Sequence, residues 1–223
     1  MRNKIFQALW YLIKGIVKRK EGSGLSVSDY SDRLFFQLKL ARIFGSPELI
    51  LIGDSNSEAF SNQDDMSQFD CLAVGLGIGG TRADQWLTWF QSSEGRRMQE
   101  MFGEAKVVWN IGGNHVLQEV MGNAEDSLKG LKELFPESWN IVIPPIHHSI
   151  LTLAGLDGEE TQLNVEKING MIRDVWSTKV IDLYNVFVSP AGEAYPGLLS
   201  DPVHYGPEAR KIIGTVIKKS IGC

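Results

Sequence analysis

The chain of 223 residues has the length of one large domain, and 43% apolar with 22% charged residues is ordinary for a globular protein. A formal charge of −5, without basic–aromatic interleaving or zinc-finger spacing, argues against a nucleic-acid binder. Cys71 sits in an apolar run and Cys223 at the last position; neither suggests a disulfide framework, so a reducing compartment is allowed.

The charge is unevenly spread. Residues 1–20 hold Arg2, Lys4, Lys14, Lys18, Arg19 and Lys20 without an acid, a charge of +6, so the remainder carries −11. On a helical wheel Lys4, Gln7, Lys14 and Lys18 share one face, and Ile5, Leu9, Leu12, Ile13, Ile16 and Val17 share the other, with Trp10 at the edge. The apolar run is too short to span a bilayer and has no small-residue cleavage site, so no cleaved signal peptide is expected and a cytoplasmic location is. The helix either packs its apolar face on the domain or lies on an anionic membrane surface, and the clustered basic residues favour the membrane.

Residues 21–27 form a Gly/Ser-containing linker, and 28–223 form the main domain. Ser28, Asp29 or Ser31 caps a helix that runs to about Phe44 and stops at Gly45-Ser46-Pro47. Leu49–Ile52 is a short, continuously apolar strand, followed by Gly53-Asp54-Ser55 and a helical turn over Asn56–Ser61. Asn62–Phe69 is polar and predicts a loop. Further strands are expected at Cys71–Val74, Lys106–Asn110, Trp139–Ile143 and Val180–Leu183. Helices are expected from Thr81, over Ala124–Leu134 and Glu160–Trp176, and from Pro207 to the end. Apolar strands alternating with helices predict a five-stranded parallel sheet covered on both faces, an α/β fold built as a three-layer α/β/α sandwich.

Ligands of such sheets bind at the carboxyl ends of the strands. Ser55 stands there, at a helix N-terminus whose free N–H groups favour an anion. The commonest task of a serine in this place is an N-cap; the other is a nucleophile whose oxyanion meets its own backbone N–H. Gly75, Gly77, Gly79 and Gly80 lack the G-x-G-x-x-G spacing, and no acid ends the following strand, so a dinucleotide cofactor is not expected. Such glycines can instead aim an N–H at a substrate oxygen, and the Asn114 amide can do the same. In Ser200-Asp201-Pro202-Val203-His204, a tight turn lets Asp201 hold the imidazole of His204 while Nε2 faces a serine. His147 and His148 are adjacent, with no Cys or acidic cluster beside them, so no metal is expected.

Gly53-Asp54-Ser55, Gly80, Gly112-x-Asn114 and Asp201-x-x-His204, in that order, resemble the four sequence blocks of the SGNH (GDSL) hydrolase superfamily. The resemblance runs from about Glu48 to the C-terminus, and Gly77-Ile78-Gly79-Gly80 is most similar to the branch containing platelet-activating-factor acetylhydrolase subunits. It implies a flavodoxin-like sheet and a serine esterase or lipase with Ser55 as nucleophile, His204 as base and Asp201 as its orienter. Ser55 N–H, Gly80 N–H and the Asn114 side chain would form the oxyanion hole. Three positions depart from the pattern: Asn56 replaces Leu, Gly75 replaces the Asn that often opens the second block, and His115 replaces the Asp that usually ends the third.

The expected function is hydrolysis of carboxylic esters (short acyl, acetyl or lysophospholipid-like) through an acyl-Ser55 intermediate. Nothing in these blocks separates water from a sugar hydroxyl as acceptor, so O-acyl transfer to a glycan or other alcohol is the alternative. A binding module that kept the fold and lost the chemistry is disfavoured, because every required side chain is present.

Overall fold

The computed structural model describes residues 2–14, 26–60, 63–145, 158–188, 195, 197–200 and 203–223. Five strands, β1 (Leu49–Gly53), β2 (Ala73–Gly77), β3 (Lys106–Asn110), β4 (Trp139–Ile141) and β5 (Val180–Ile181), pair in parallel in the order β2-β1-β3-β4-β5. This is the flavodoxin-like doubly wound order, and its chain reversal falls between β1 and β3.

The period-2 alternation of a strand sorts its side chains between two cores. Ile50, Ile52, Val74, Leu76 and Trp109 join one, under α2 (Ser31–Ile43), α5 (Ala83–Gln91), α6 (Ser93–Phe102), α8 (Ala124–Leu134) and α9 (Gly158–Trp176). Leu49, Leu51, Val108 and Ile141 join the other, under the C-terminal helix α11 (Pro207–Ile221), which contributes Ala209, Ile213, Ile217 and Ile221. Shorter helices complete the order: α3 (Ser55–Phe60), α4 (Gln63–Met66), α7 (Gly113–Leu117) and α10 (Tyr184–Phe187). Three layers around a parallel sheet are what continuously apolar strands require.

Several boundaries differ from the sequence expectation. The second strand starts two residues later than Cys71 and runs through Gly75 to Gly77. A Cβ at Gly77 would come within 1.9 Å of Glu58 N, so glycine there lets the strand pass directly against α3. The polar stretch Asn62–Phe69, expected as loop, contains α4. Strand β4 stops at Ile141 because Asn169 Oδ1 accepts from Ile143 N and its Nδ2 donates to Ile143 O, both at 2.9 Å, drawing that backbone out of the ladder. Helix α6 was not expected; its apolar positions are only Met98, Met101 and Phe102, too sparse for a periodic signal.

The cysteines also require a correction. Cys71 and Cys223 form a disulfide across a sequence separation of 152, with Cα atoms 5.2 Å apart. Helix α11 delivers Cys223 to the lead-in of β2, where its carbonyl accepts from Asp70 N at 2.7 Å and Cys71 N at 3.3 Å. Spacing in sequence carries no trace of that meeting.

The first helix, α1 (Arg2–Lys14), docks on the domain through Asn3, Phe6 and Gln7, with Leu9 of the wheel's apolar face packed beside them. Asn3, Phe6 and Gln7 are buried, whereas Ile5 is 51% exposed. Asn3 Oδ1 accepts from Ala73 N, and Gln7 Nε2 donates to Ala73 O at 2.7 Å. Asn3 Nδ2 also donates to the carbonyls of Met66 and Phe69. Two amide side chains thus pair with the outer edge of β2 as a neighbouring strand would.

Candidate active site

Strand β1 ends where two strand ends crowd. Gly53 has φ +147°, and a Cβ on it would lie 2.0 Å from Asn110 O, so only glycine fits this exit. Asp54 N donates to Asn110 O at 3.1 Å, and Gly53 O accepts from Ile78 N at 2.9 Å. The chain then turns at once into α3, with Ser55 as its first residue. Ser55 therefore stands at the N-terminus of α3, beside the reversal point of the sheet.

The base arrives from the far end of the chain. Leu199 and Tyr205 pair across a short antiparallel bridge, and Ser200 N donates to His204 O at 2.8 Å. His204 Nε2 lies 2.9 Å from Ser55 Oγ, the hydrogen-bond distance that pairs a nucleophile with its base. Asp201, expected to orient His204, lies outside the described residues, as do His147 and His148. Asp182, the other acid near a strand end, accepts from Tyr184 N at 3.1 Å and pairs with Arg173 Nε at 2.8 Å, which braces a loop.

Asn114 and Ser55 line one small cleft, walled on its apolar side by Leu117, Ile143, Pro144 and Val203. Asn114 Nδ2 donates one hydrogen to Thr81 O at 2.9 Å, which fixes the amide and leaves its second hydrogen for a ligand. Gly80 is not among the residues lining this cleft. Its neighbour Gly79 is close: a Cβ there would lie 3.6 Å from Ser55 Cβ. Two side chains hold this loop. Glu58 Oε2 accepts from Gly79 N at 2.9 Å, and Gln118 Nε2 donates to Gly80 O at 2.8 Å. Arg33 steadies Glu58 through Oε1 at 2.9 Å and donates to Gly77 O at 2.7 Å.

Two of the departing positions acquire structural roles. Gly75 lies within β2, opposite Leu51. His115 is fully buried; its Nε2 accepts from Ala83 N at 3.1 Å and its Nδ1 pairs with Val120 O at 2.8 Å. A carbonyl only accepts and an N–H only donates, so the ring is neutral with its proton on Nδ1. Burial pushes the His115 pKa down, which suits that state. His115 therefore serves the N-terminus of α5, as an acidic side chain could.

The sequence pointed to no role for Asp54, and marked Asn56 only as a departure from the Leu of the block. Asp54 is buried beneath the site, and burial pushes its carboxyl up to about 7, against the lowering pull of the Asn56 N–H bond and the charge of His204. The only signal for Asp54 was its place inside Gly-Asp-Ser, and for Asn56 its place where the block usually has Leu.

No family model matches the chain, and no curated protein does. Solved structures do. A protein from Streptococcus pneumonia provisionally assigned as a platelet activating factor superposes with a TM-score of 0.66 at 16% identity, covering 86% of this chain and 93% of that one. A provisionally assigned acylhydrolase from Bacteroides fragilis gives 0.65 at 18%, over 92% and 98%. A GDSL-like lipase from Bacteroides thetaiotaomicron gives 0.64 at 18%, over 86% and 97%. The fold is that of the SGNH hydrolases. Within the SGNH fold, Ser55 and His204 occupy the carboxyl side of a parallel sheet, at its reversal point.

Proposed function

We propose that this protein is a serine ester hydrolase of the SGNH type that works through an acyl-Ser55 intermediate. The observation that carries the reading is the 2.9 Å contact between Ser55 Oγ and His204 Nε2 at the N-terminus of α3. In the first half-reaction His204 takes the Ser55 proton as Oγ attacks the ester carbonyl. The tetrahedral oxyanion is met by the N–H groups of Ser55 and Gly80 and the free Asn114 amide hydrogen. His204 then protonates the departing alcohol, leaving the acyl group on Ser55. In the second half-reaction His204 deprotonates water, which releases the acid and restores the serine. Asp201 is assigned the orienting role on His204 through its place in the block Asp201-x-x-His204.

The apolar wall of Leu117, Ile143, Pro144 and Val203 suits the hydrocarbon part of an acyl group. An alcohol in place of water gives acyl transfer with the same residues, so the acceptor is decided by assay. The decisive experiment combines a fluorophosphonate probe with a series of p-nitrophenyl esters, acetylated sugars and lysophospholipids. Labelling at Ser55 alone is expected, with turnover lost in Ser55→Ala. Labelling at another serine, or full turnover in that variant, overturns the assignment.

A further inference from the structure

We infer that Asn56 is a positioning residue that holds His204 against Ser55, an assignment that rests on the esterase reading above. Its side chain reaches from the residue after the nucleophile to the two residues flanking the base, 147 and 149 positions away. Asn56 Nδ2 donates to Val203 O at 3.1 Å, and Asn56 Oδ1 accepts from Tyr205 N at 2.9 Å. The two bonds straddle His204, so the backbone that carries the imidazole is clipped to the backbone that carries the hydroxyl. Asn56 is itself fixed, because its own N–H donates to Asp54 Oδ1 at 2.9 Å.

The chemistry selects the residue type. One partner is a carbonyl and the other an N–H, so the clip needs a donor and an acceptor on one short planar group. Aspartate keeps the bond to Tyr205 N but sets a carboxylate oxygen against the carbonyl of Val203. Leucine, which stands here in the sequence block that the chain otherwise resembles, makes neither bond. The Leu-to-Asn departure is therefore a second attachment for the catalytic loop. Asn56 is 9% exposed and its bond to Tyr205 N is buried, which shields that bond from competition by water.

A misplacement of about 1 Å at a reacting group can cost on the order of a hundredfold in rate. Asn56→Leu is therefore expected to lower kcat by roughly ten- to a hundredfold, with KM within about twofold and labelling of Ser55 by fluorophosphonate slowed in parallel. Asn56→Asp should fall between the two. The separating measurement is a double-mutant cycle on residual hydrolysis: in a His204→Ala background Asn56→Leu should have almost no further effect, because the group it positions is gone. Equal losses with and without His204, an unchanged kcat in Asn56→Leu, or failure of both Asn56→Leu and Asn56→Ser to fold would each overturn the assignment and leave Asn56 a purely structural residue. An inactive native protein without labelling at Ser55 would instead sink the esterase reading itself.

Discussion

The two halves of the site are built by different means. The serine side is continuous chain: β1, the single turn residue Asp54 and α3, locked by close backbone packing at Gly53 and Gly77. The histidine side comes from about 150 residues downstream and is held by side chains, Asn56 on Val203 and Tyr205, and Arg210 on the Tyr205 carbonyl and Asp65. Backbone packing tolerates almost no substitution, whereas a polar clip can be replaced at a graded loss. The serine side should therefore fail all at once and the histidine side by degrees.

Gly77→Ala gives the sharpest contrast. Its Cβ would meet the backbone of Ser57 and Glu58, which cannot swing aside as a side chain can. A loss of about 3 kcal/mol or more is expected, seen as a lowered urea midpoint or insoluble protein. A variant as stable as the native chain would show that this side is not backbone-locked.

Asn114→Ala removes the proposed oxyanion donor without touching either lock. Turnover should drop by roughly a hundred- to a thousandfold with KM little changed, and the melting temperature should fall by a few degrees through loss of the buried bond to Thr81 O. A rise in KM alone would make Asn114 a contact for bound substrate.

Deleting residues 1–20 tests whether the contrast is local to the site. It removes the buried Phe6 and the amide bonds to Ala73, a loss of about 2–4 kcal/mol, which for a chain of this size lowers Tm by about 5–15 °C. The kcat of the folded fraction should hold. Sedimentation of both forms with anionic vesicles measures lipid affinity directly, since docking leaves Lys4 and Ile5 outward.

The last comparison concerns pH. Asp54 has its folded pKa raised from 3.8 to about 7, so the stability gained from its protonated form is lost as pH rises through that window. His115 runs the other way: its folded pKa is lowered, so its contribution is present above the unfolded value of 6.5 and is lost as pH falls below it. Asp54→Asn should remove the opposing Asp54 slope, making stability rise more steeply with pH between about 4 and 7 in urea titrations. An unchanged slope would mean that Asp54 ionises as freely folded as unfolded.

What the sequence disclosed follows the same division. Short apolar runs and a breaker located β1 and Ser55 because strand, turn and helix are neighbours in the chain. Lys106–Asn110, Ala124–Leu134 and the start at Pro207 were legible for the same reason. Contacts between distant segments were not: the Cys71–Cys223 bond, the Asn56 clip and the exchange of His115 with Ala83 have no local signature. At α1 the wheel set Gln7 outward and Ile5 inward because it assumed that a buried face is apolar, while Asn3 and Gln7 are buried to serve backbone groups.

Those two amides bear on how one copy of the protein meets another. The outer strand of an open sheet offers a row of unpaired N–H and C=O groups on which a second chain can assemble. At β2 the Ala73 groups are already taken by Asn3 and Gln7, and at the opposite margin β5 is only two residues long. Self-templated growth of the sheet is blocked at one margin by occupied hydrogen bonds and at the other by want of length. Concentrated solutions of the intact chain should accordingly stay free of fibrillar aggregates under conditions in which a chain lacking α1 deposits them.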